Sequence, residues 1–452
     1  MEQNLALATH RQKIDAIAAA VKEFAQNARP GDYFSLKKAS VSHMAPQPDN
    51  PRYSDKKIDV KALTEIISID LEKRICVAES GVTFVRLVEQ TLKHGLVPAC
   101  VSELKEITIG GAVAGCSVES MSFKHGGFFD SCIELEIVAG TGEVVTCSKS
   151  KAPEVFDGIH GSFGTLGILT LLTFKLLPAR PFVEVKYVKY ASFEALLAAI
   201  REHYEKQDIE MMDALVHGPD KCILCIGTFV DYAPKASKYF AEPYYKSTLE
   251  LDHDYMHTSD YFFRYDADCH WSIRNYPGLE NRIVRQLFGN FLLGSSNILH
   301  LTERLPFLVR KGNKPDVIVD VFIPFKHAQE FFDWCKETFD YYPLWIVPYR
   351  MQPFYPWLNP ALIEGITEPL FIDFAIYGFQ QKGDKNYYKI LEEKVFELQG
   401  MKTLITHNYY DEASFWKSFN KPFYDLIKAR IDPKNLFRNL YAKTNYKKHQ
   451  GS

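Results

Sequence analysis

The spacing of apolar residues near the N-terminus predicts a helix, followed later by a strand–helix pair. Residues 10–26 carry a helical apolar stripe formed by Ile14, Ile17, Val21 and Phe24. The run "RICVAESGV" (74–82) predicts a strand, and "TFVRLVEQTLKHG" predicts a helix that ends at Gly95. Between the first helix and this strand, "ARPGDYFSLKKASVSHMAPQPDNPRYSDKKIDV" is rich in proline and turn-forming residues. It predicts a loop without regular elements.

Further along the chain the pattern alternates between strands and helices. The segment "CIELEIVAGTGEVVTCS" predicts two strands joined by a glycine-containing hairpin. Residues 183–230 predict strand, helix and strand; residues 240–305 are mostly helical or irregular; residues 315–380 alternate again, and residues 386–440 are mainly helical.

The amino-acid composition changes after Pro178, which indicates a domain boundary near this residue. We predict an α+β fold, with one domain over residues 1–180 and a second over residues 181–400. The C-terminal segment, residues 401–452, is expected to pack back on the first domain.

Length and charge limit the classes of function. With 452 residues, the chain is too long for a single hydrophobic core. It is 46% hydrophobic and 24% charged, as soluble globular proteins are, and its net charge of −3 lacks the basic field that nucleic-acid binding requires. No apolar run near the N-terminus has the length of a signal peptide or a membrane span. We therefore expect a cytoplasmic protein that at most contacts a membrane surface.

The nine cysteines lie in apolar strings, which indicates core packing in a reducing compartment. Cys222 and Cys225 have CxxC spacing, but no second Cys/His pair accompanies them at the spacing of a zinc site. We expect no metal site.

Aromatic residues are numerous, at 32 Phe, 25 Tyr and 5 Trp. They fit either large cores or a sizeable pocket for an apolar or planar ligand, and the sequence leaves both open. Two aromatic or apolar segments also fit more than one role: residues 244–271 and "RQLFGNFLLGSSNILHLTERLPF". They could pack between the domains, line a lipid pocket or contact a membrane surface.

Glycine is concentrated in "ITIGGAVAGCSVESMSFKHGG", residues 107–127. Such a stretch indicates turns that need positive φ, or backbone that lies close to another group. Backbone N–H groups of irregular glycine-rich loops can surround phosphate oxygens, and the hydroxyls of Thr108, Ser117 and Ser120 would add donors. From the residues alone, a diphosphate site and a cluster of structural turns both remain open.

A Rossmann dinucleotide loop is not expected. The segment "GSFGTLG" (161–167) lacks GxGxxG spacing, and it continues into "ILTLLTF", which predicts a strand instead of the required helix.

The order of the N-terminal segments resembles the FAD-binding domain of the vanillyl-alcohol-oxidase (PCMH) type. The likeness is carried by "IDVKALTEIISIDLEKRICVAESGVTFVRLVEQTLKHGLVPA", "ELKEITIGGAVAGCSVESMSFKHGGFFDSC", "ELEIVAGTGEVVTCS" and "FGTLGILTLLTFKLLPA". Within that class the chain is similar to the Δ24-sterol reductase branch, and "YYPLWIVP", "FIDFAIYG" and "YYDEASFW" extend the likeness. The resemblance implies a two-subdomain FAD-binding domain, an α+β substrate domain, and a C-terminal segment near the flavin.

The resemblance also implies positions for the cofactor. It puts the FAD diphosphate at Thr108, Gly110, Gly111 and Gly115, and the flavin ring beside Ser117, Glu119 and Ser120. It puts the adenine or ribitol near Gly164, Gly167 and Ile168. A second diphosphate loop, usually glycine-rich in this class, corresponds here to "KKASVSHMAP", where Ser40, Ser42 and His43 would supply the hydrogen bonds. Some members of the class attach flavin covalently near His43, but we predict noncovalent FAD.

The chemistry implied is reduction of a carbon–carbon double bond in a sterol or isoprenoid-like lipid, with NADPH as a candidate reductant. This reaction needs a general acid that is protonated near neutral pH. The resemblance places "TLITHNYYDEASFW" over the flavin, so His407, Tyr409 and Tyr410 are the first candidates. Lys124 is the second candidate, either as the acid or as a cation beside reduced flavin.

Two other functions remain open. One is an FAD-dependent oxidase or dehydrogenase of an alcohol or hydroxy acid, in which Arg350 would clamp a carboxylate. The other is a flavin-free lipid-binding protein that retains only the fold. The sequence leaves the oligomeric state open.

Overall fold

A computed structural model describes residues 2–40, 50–275, 278–295, 297, 314–351 and 355–445 of the chain. Its helices are α1 Glu2–Asn27, α2 Phe84–Leu92, α3 Ile109–Gly115, α4 Ser122–His125, α5 Pro153–Ile159, α6 Phe193–Lys206, α7 Tyr244–Glu250, α8 Thr258–Phe262, α9 Arg282–Leu292, α10 Ala328–Thr338, α11 Tyr387–Glu397, α12 Glu412–Ser418, α13 Lys421–Ile431 and α14 Leu440–Thr444.

The strands of the N-terminal half are β1 Phe34–Lys37, β2 Lys56–Asp59, β3 Ile66–Asp70, β4 Ile75–Glu79, β5 Leu96–Pro98, β6 Cys132–Val138, β7 Val144–Ser148 and β8 Ile168–Pro178. The following strands are β9 Phe182–Tyr190, β10 Met211–Gly218, β11 Lys221–Val230, β12 His253–His257, β13 Val317–Pro324, β14 Leu344–Arg350, β15 Leu370–Phe379 and β16 Met401–Lys402. The fold is α+β.

Two antiparallel sheets organise the chain. The first has the order β3-β4-β8-β6-β7, with β5 also paired to β8. Along β8, buried and half-buried residues alternate, as expected for a strand with one face on a core. The second sheet has eight strands in the order β12-β9-β11-β10-β14-β15-β13-β16. Strands up to β8 and strands β9 to β16 therefore belong to different sheets, and the division of the chain into domains near residue 180 stays a prediction.

Helices cover these sheets through their apolar faces. Helix α1 buries Ile14, Ile17, Val21 and Phe24, the stripe expected from the sequence, although the helix begins at Glu2 instead of residue 10. In α2 the buried residues are Phe84, Leu87, Val88 and Thr91, which lie on one helical face. Gly95 follows with a φ of +65°, which glycine adopts without steric cost.

Three sequence predictions on secondary structure were wrong. The proline-rich segment contains β1 and β2, which form a short parallel pair because Phe34 and Ile58 are buried in the core beside α1. Residues 183–230 hold three strands, since β10 and β11 form a tight hairpin inside an apolar stretch that periodicity could not divide. Strand β12, at the edge of the second sheet and paired to β9, lies in the aromatic region predicted as mostly helical or irregular.

Candidate functional site

A cleft of about 540 Å³ lies between the two sheets. One wall comes from connections of the first sheet, residues 80–81, 102–119 and 162–167; the opposite wall includes side chains of β13, β14 and β15. The volume is in the range of pockets that bind cofactors and other small molecules.

The glycine pair lies on helix α3, not in an irregular loop. Thr108 is the N-cap of this helix, and its side-chain oxygen accepts a hydrogen bond from the amide of Gly111. The amides of Ile109 and Gly110 donate to the carbonyl oxygens of Val82 and Ser80. These amides are engaged within the chain, so the expectation of bare loop amides at this position is corrected. Gly115 differs from Gly110, because its missing side chain leaves space in the cleft wall.

The second glycine segment forms turns that need positive φ. Gly164 and Gly167 have φ of +67° and +133°, and both line the cleft. The chain then enters β8, as the sequence predicted, which agrees with the exclusion of a Rossmann loop. Lys443 of α14 donates a hydrogen bond to the carbonyl oxygen of Phe163 and so approaches this turn from the C-terminal segment.

A group of cations lines one part of the cleft. We call it the cationic cluster, and it consists of Lys38, Arg52, Lys57, Lys61, Arg438 and Lys443. Asp55 is the acidic side chain among them and forms an ion pair with Arg438 at 2.6 Å. The cluster is therefore net positive.

Within this cluster, the surroundings of Lys443 oppose its positive charge. Burial lowers the pKa of Lys443 well below its ordinary value, and the nearby charges of Arg52 and Lys38 lower it further. A negatively charged group at this position would relieve the repulsion between these cations.

A second part of the cleft carries buried carboxyl groups. We call it the carboxyl cluster, and it consists of Glu103, Glu119, Asp320 and Asp373. Burial raises the pKa of Glu119 well above its usual range, and the charge of Glu103 adds to the shift. Burial likewise raises the pKa of Glu103, although the nearby Arg264 guanidinium opposes the shift. The Glu119 Oε2 atom is buried and has no hydrogen-bond partner among the described residues.

Strands β13 and β15 present the two aspartates on one face. Phe322 is the cross-strand partner of Asp373, and Asp320 is the partner of Ala375, so these side chains share a face of the sheet. The hydroxyl of Tyr377, two residues beyond Ala375, donates to Asp320 Oδ1. The Oδ1 atom of Asp373 is buried without a hydrogen-bond partner in the described part of the chain.

The two aspartates differ in how strongly their charge is opposed. Burial raises the pKa of Asp320 to about 6, against the hydrogen bonds from Tyr377 and Thr403. Burial and the charge of Asp320 raise the pKa of Asp373 well above its usual range. Within this pair, the protonated form is therefore favoured on Asp373.

The structure brings most of the predicted cofactor residues together. Those that line the cleft are Ser40, Thr108, Gly110, Gly111, Gly115, Ser117, Glu119, Gly164 and Gly167. Ser120 is buried beside the cleft, where its carbonyl oxygen accepts from the amide of Met212, and Ile168 is buried in the core that contains α1. Ser42 and His43 lie outside the described residues. The cofactor roles of all these residues stay predictions.

The predicted catalytic residues lie elsewhere. His407, Tyr409, Tyr410 and Lys124 are not among the described residues that line the cleft. The carbonyl oxygen of His407 accepts from Lys402 Nζ at 2.8 Å, and the amide of Tyr409 donates to Glu392. Lys124 Nζ donates to the carbonyl oxygens of Gln207 and Ile209. Each therefore has structural contacts, and a catalytic role for any of them stays a prediction.

Sequence reasoning missed several residues of the cleft, above all Glu103, His270, Asp320, Trp345, Asp373 and Tyr377. A signal for two of them was present, because "DVIVDVFIP" and "FIDFAIYG" each place a carboxylate inside an apolar strand. A buried carboxylate needs a partner or a function. The cationic cluster gave no such signal, since its members come from distant segments.

No group of three or more His, Cys, Asp or Glu side chains is arranged to hold a metal ion within the described ranges. Among the helices described, none has the length and apolar character needed to cross a membrane.

Comparison with known proteins agrees with the position of the cleft. Residues 12–148 match the FAD binding domain family. This range contains α3 and residues 102–119, which form a large part of the cleft wall.

Relatives extend over most of the chain. It is 25% identical over 398 residues to Delta(24)-sterol reductase of Homo sapiens, which covers 84% of this chain and 76% of the human protein. It is 24% identical over 472 aligned residues to the Delta(24)-sterol reductase homolog dhcr-24 of Caenorhabditis elegans, covering 97% of this chain and 88% of that protein. A shorter match, 32% identical over 95 residues, is to Cytokinin dehydrogenase 2 of Oryza sativa subsp. japonica, covering 21% of this chain and 17% of that protein.

Proposed function

We propose that this FAD-dependent oxidoreductase, whose residues 12–148 match an FAD binding domain, reduces a carbon–carbon double bond in a sterol or isoprenoid-like lipid, with NADPH as electron donor. The proposal rests on the cleft and on the similarity to Delta(24)-sterol reductases. The observation that carries it is the pairing, in a single cleft, of a cationic cluster with carboxyl groups whose pKa burial raises.

The cationic cluster fits the diphosphate of FAD. In the proposal, Lys443 and Arg438 neutralise the phosphate charges, and the turn at Gly164 and Gly167 lets the backbone approach the cofactor. Ser102 supports this fit, because its hydroxyl oxygen is buried in the cleft wall without a hydrogen-bond partner among the described residues. A bound polar ligand would satisfy it. We propose noncovalent binding.

The substrate part of the cleft fits an uncharged, apolar molecule. Phe322, Trp345 and Tyr377 give the wall of the second sheet an aromatic surface, and the neighbouring buried carboxyl groups offer a substrate carboxylate no opposite charge. Arg350, the carboxylate clamp expected for a hydroxy-acid enzyme, is exposed and is not among the described residues that line the cleft. An olefin of a lipid is therefore favoured over a hydroxy acid.

The chain's own residues would position the substrate, exclude water and hold a proton. When bound, FAD would supply the transfer of a hydride equivalent from NADPH to the substrate. A second cavity, near Trp357 and Trp416, has a volume of about 10 Å³ and is too small for a nucleotide. We therefore propose that NADPH and the lipid use the same cleft in turn.

Contact with a membrane surface is part of the proposal, because the substrate is a lipid. Helix α9 exposes Ile283, Leu287 and Phe288, which are 66%, 67% and 54% accessible to solvent. Exposed apolar side chains on an amphipathic helix are typical of interfacial binding. All nine cysteines are unpaired, which supports a reducing compartment such as the cytoplasm.

The decisive experiment is an anaerobic titration of the purified FAD-loaded protein. We expect NADPH to bleach the flavin absorbance, and a Δ24-unsaturated sterol, the substrate class that the names of the relatives indicate, to restore it. A hydroxy acid should neither bleach the flavin absorbance nor restore it. Failure of the protein to bind FAD would favour a flavin-free lipid-binding protein. Bleaching by an alcohol or hydroxy acid, but not by NADPH, would favour an oxidase or dehydrogenase.

A further inference from the structure

The cleft wall formed by β13 and β15 carries two aspartates that the binding of cofactor and lipid does not explain. Asp320, Phe322, Asp373 and Tyr377 share one face of this sheet, and all four line the cleft. Their strand neighbours, such as Val321 and Phe374, belong instead to the core on the other side of the sheet. The two aspartates thus lie on a surface that a bound lipid would contact.

Of the two carboxyl groups, Asp373 is the one with an unused polar atom. Its Oδ1 is buried and unpartnered among the described residues, while Asp320 accepts a hydrogen bond from the Tyr377 hydroxyl. A hydrogen bond from a hydroxyl favours the charged form of Asp320, and a negative Asp320 disfavours a second charge on Asp373. The proton of the pair therefore rests on Asp373.

We propose that Asp373 is the proton donor of the reduction, and that Asp320 is a positioning residue that keeps the proton on Asp373. This inference rests on the proposed function. Burial and the charge of Asp320 both raise the pKa of Asp373, as a general acid at neutral pH requires.

Glu119 is the alternative acid in the cleft, but its surroundings differ. Its Oε1 accepts a hydrogen bond from the amide of Glu103 at 3.0 Å, which orients the side chain toward its own segment. Glu119 also belongs to the FAD binding domain, whereas Asp373 lies on the opposite wall. A donor on the opposite wall can protonate the carbon that does not receive the hydride, from the other face of the double bond.

When bound, FAD would supply one olefin carbon with the hydride equivalent that it takes from NADPH, which would leave as NADP⁺. The O–H bond of Asp373 breaks, its proton forms a C–H bond at the other carbon, and a carboxylate remains. A proton from solvent then restores the acid. The charge of Asp320 raises the pKa of Asp373, and a hydrogen bond from the backbone amide of Val321 opposes that shift. The other titratable groups near it in the cleft wall are Tyr377, Glu103, Glu119 and His270, with Arg264 beside Glu103.

The test separates the two halves of the reaction by anaerobic stopped-flow measurement of the FAD-loaded protein. In Asp373→Asn we expect bleaching by NADPH within about twofold of the wild-type rate, but sterol-dependent recovery of absorbance slowed by about 10²- to 10⁴-fold. Asp333→Asn, an exposed substitution on α10, serves as the matched control and should leave both rates unchanged. Sterol-dependent recovery in Asp373→Asn within threefold of wild type would overturn the inference.

The variant Asp320→Asn tests the positioning role of Asp320 separately, through the pH dependence of the rate. Removing the neighbouring charge lowers the pKa of Asp373, so the loss of sterol-dependent rate with rising pH should move to lower pH, while the NADPH step keeps its pH profile. An unchanged profile would overturn the positioning role. If wild-type reduced protein is not reoxidised by the sterol, the proposed function fails; if wild type turns over and Asp373→Asn does too, only this inference fails.

Discussion

A Cβ atom at Gly110 would lie 2.7 Å from the Cβ atom of Ser80 and 2.8 Å from its carbonyl oxygen. The Gly110 amide donates to that same oxygen at 2.9 Å. Glycine at this position therefore lets helix α3 pack against the residue that follows β4. Gly110 therefore stabilises the packing of the cleft wall. A substitution at this position would affect cofactor binding by displacing that wall.

We predict opposite effects for alanine at two glycines of α3. Gly110→Ala should destabilise the protein without cofactor by about 1–3 kcal/mol, because the methyl group meets backbone that cannot move aside. Gly115→Ala should leave that stability equal or slightly higher, since alanine favours helix by up to about 1 kcal/mol. Its methyl group would enter the cleft and weaken FAD binding. Thermal unfolding without cofactor, together with titration of FAD fluorescence, measures both effects. Wild-type stability in Gly110→Ala would contradict the packing argument.

FAD affinity should depend on pH through Lys443. Its pKa is lowered by burial and by neighbouring cations in the free protein, and a bound diphosphate would raise it. Binding therefore takes up a proton. Affinity should be independent of pH below the lowered pKa and fall as pH rises from there toward the ordinary value of 10.5.

The measurement is the Kd for FAD across this pH range, with a fall of at most about tenfold per pH unit for one proton. Lys443→Met should bind more weakly at neutral pH and lose the pH dependence. The exposed Lys417→Met on α12 is the control. A Kd for wild type that does not change with pH would exclude this role for Lys443.

Sequence patterns predicted the elements that have one buried face. The stripe of α1, the face of α2 and the alternation along β8 follow from local periodicity alone. Strands β1 and β2 could not be found this way, because each is only four residues long and is stabilised by tertiary contact with α1. The structure places the glycine segment in the cleft wall, where Gly110 packs against Ser80, and local periodicity cannot show a contact between separate parts of the chain.

The cleft also contains residues whose proximity local sequence patterns cannot predict. Residues 108–119 form one contiguous motif and could be located from sequence, but Asp320 and Asp373 become neighbours only when β13 pairs with β15. Arg52 and Lys443 likewise come from segments far apart in the chain. A family resemblance located a motif that lies in the cleft wall, whereas the two charged clusters depend on three-dimensional pairing.

Stability should fall in the alkaline range because of His10 on α1. Its ring nitrogens lie 2.8 Å from Glu79 Oε1 and 3.0 Å from Glu136 Oε1. Burial alone would lower the pKa of His10, but hydrogen bonds and the charges of Glu136 and Glu79 outweigh burial and raise it to about 9. The protonated ring thus joins α1 to β4 and β6.

Because the pKa of His10 is higher in the folded state than the unfolded value of 6.5, protonation of His10 stabilises the fold. The full contribution is present below pH 6.5 and is lost as pH rises through about 9. The loss should be on the order of 3 kcal/mol in the free energy of unfolding. Urea unfolding at pH 6.5 and pH 9.5 measures it. His10→Gln should be less stable at pH 6.5 and should lack most of the change, while the exposed His94→Gln should behave as wild type.

Binding to lipid vesicles should depend on helix α9. Leu287 and Phe288 are exposed, and burying a large apolar side chain in the interface contributes about 1.5–3 kcal/mol. Leu287→Glu should therefore reduce the vesicle-bound fraction by at least about tenfold in sedimentation with phosphatidylcholine vesicles. Leu426→Glu on α13 is the matched control, because Leu426 is 64% exposed and Leu287 is 67% exposed. Equal loss of binding in both variants would indicate a general effect of added negative charge. Unchanged binding of Leu287→Glu would exclude α9 as the contact, and the proposed reduction of a lipid would then require delivery of the substrate by another route.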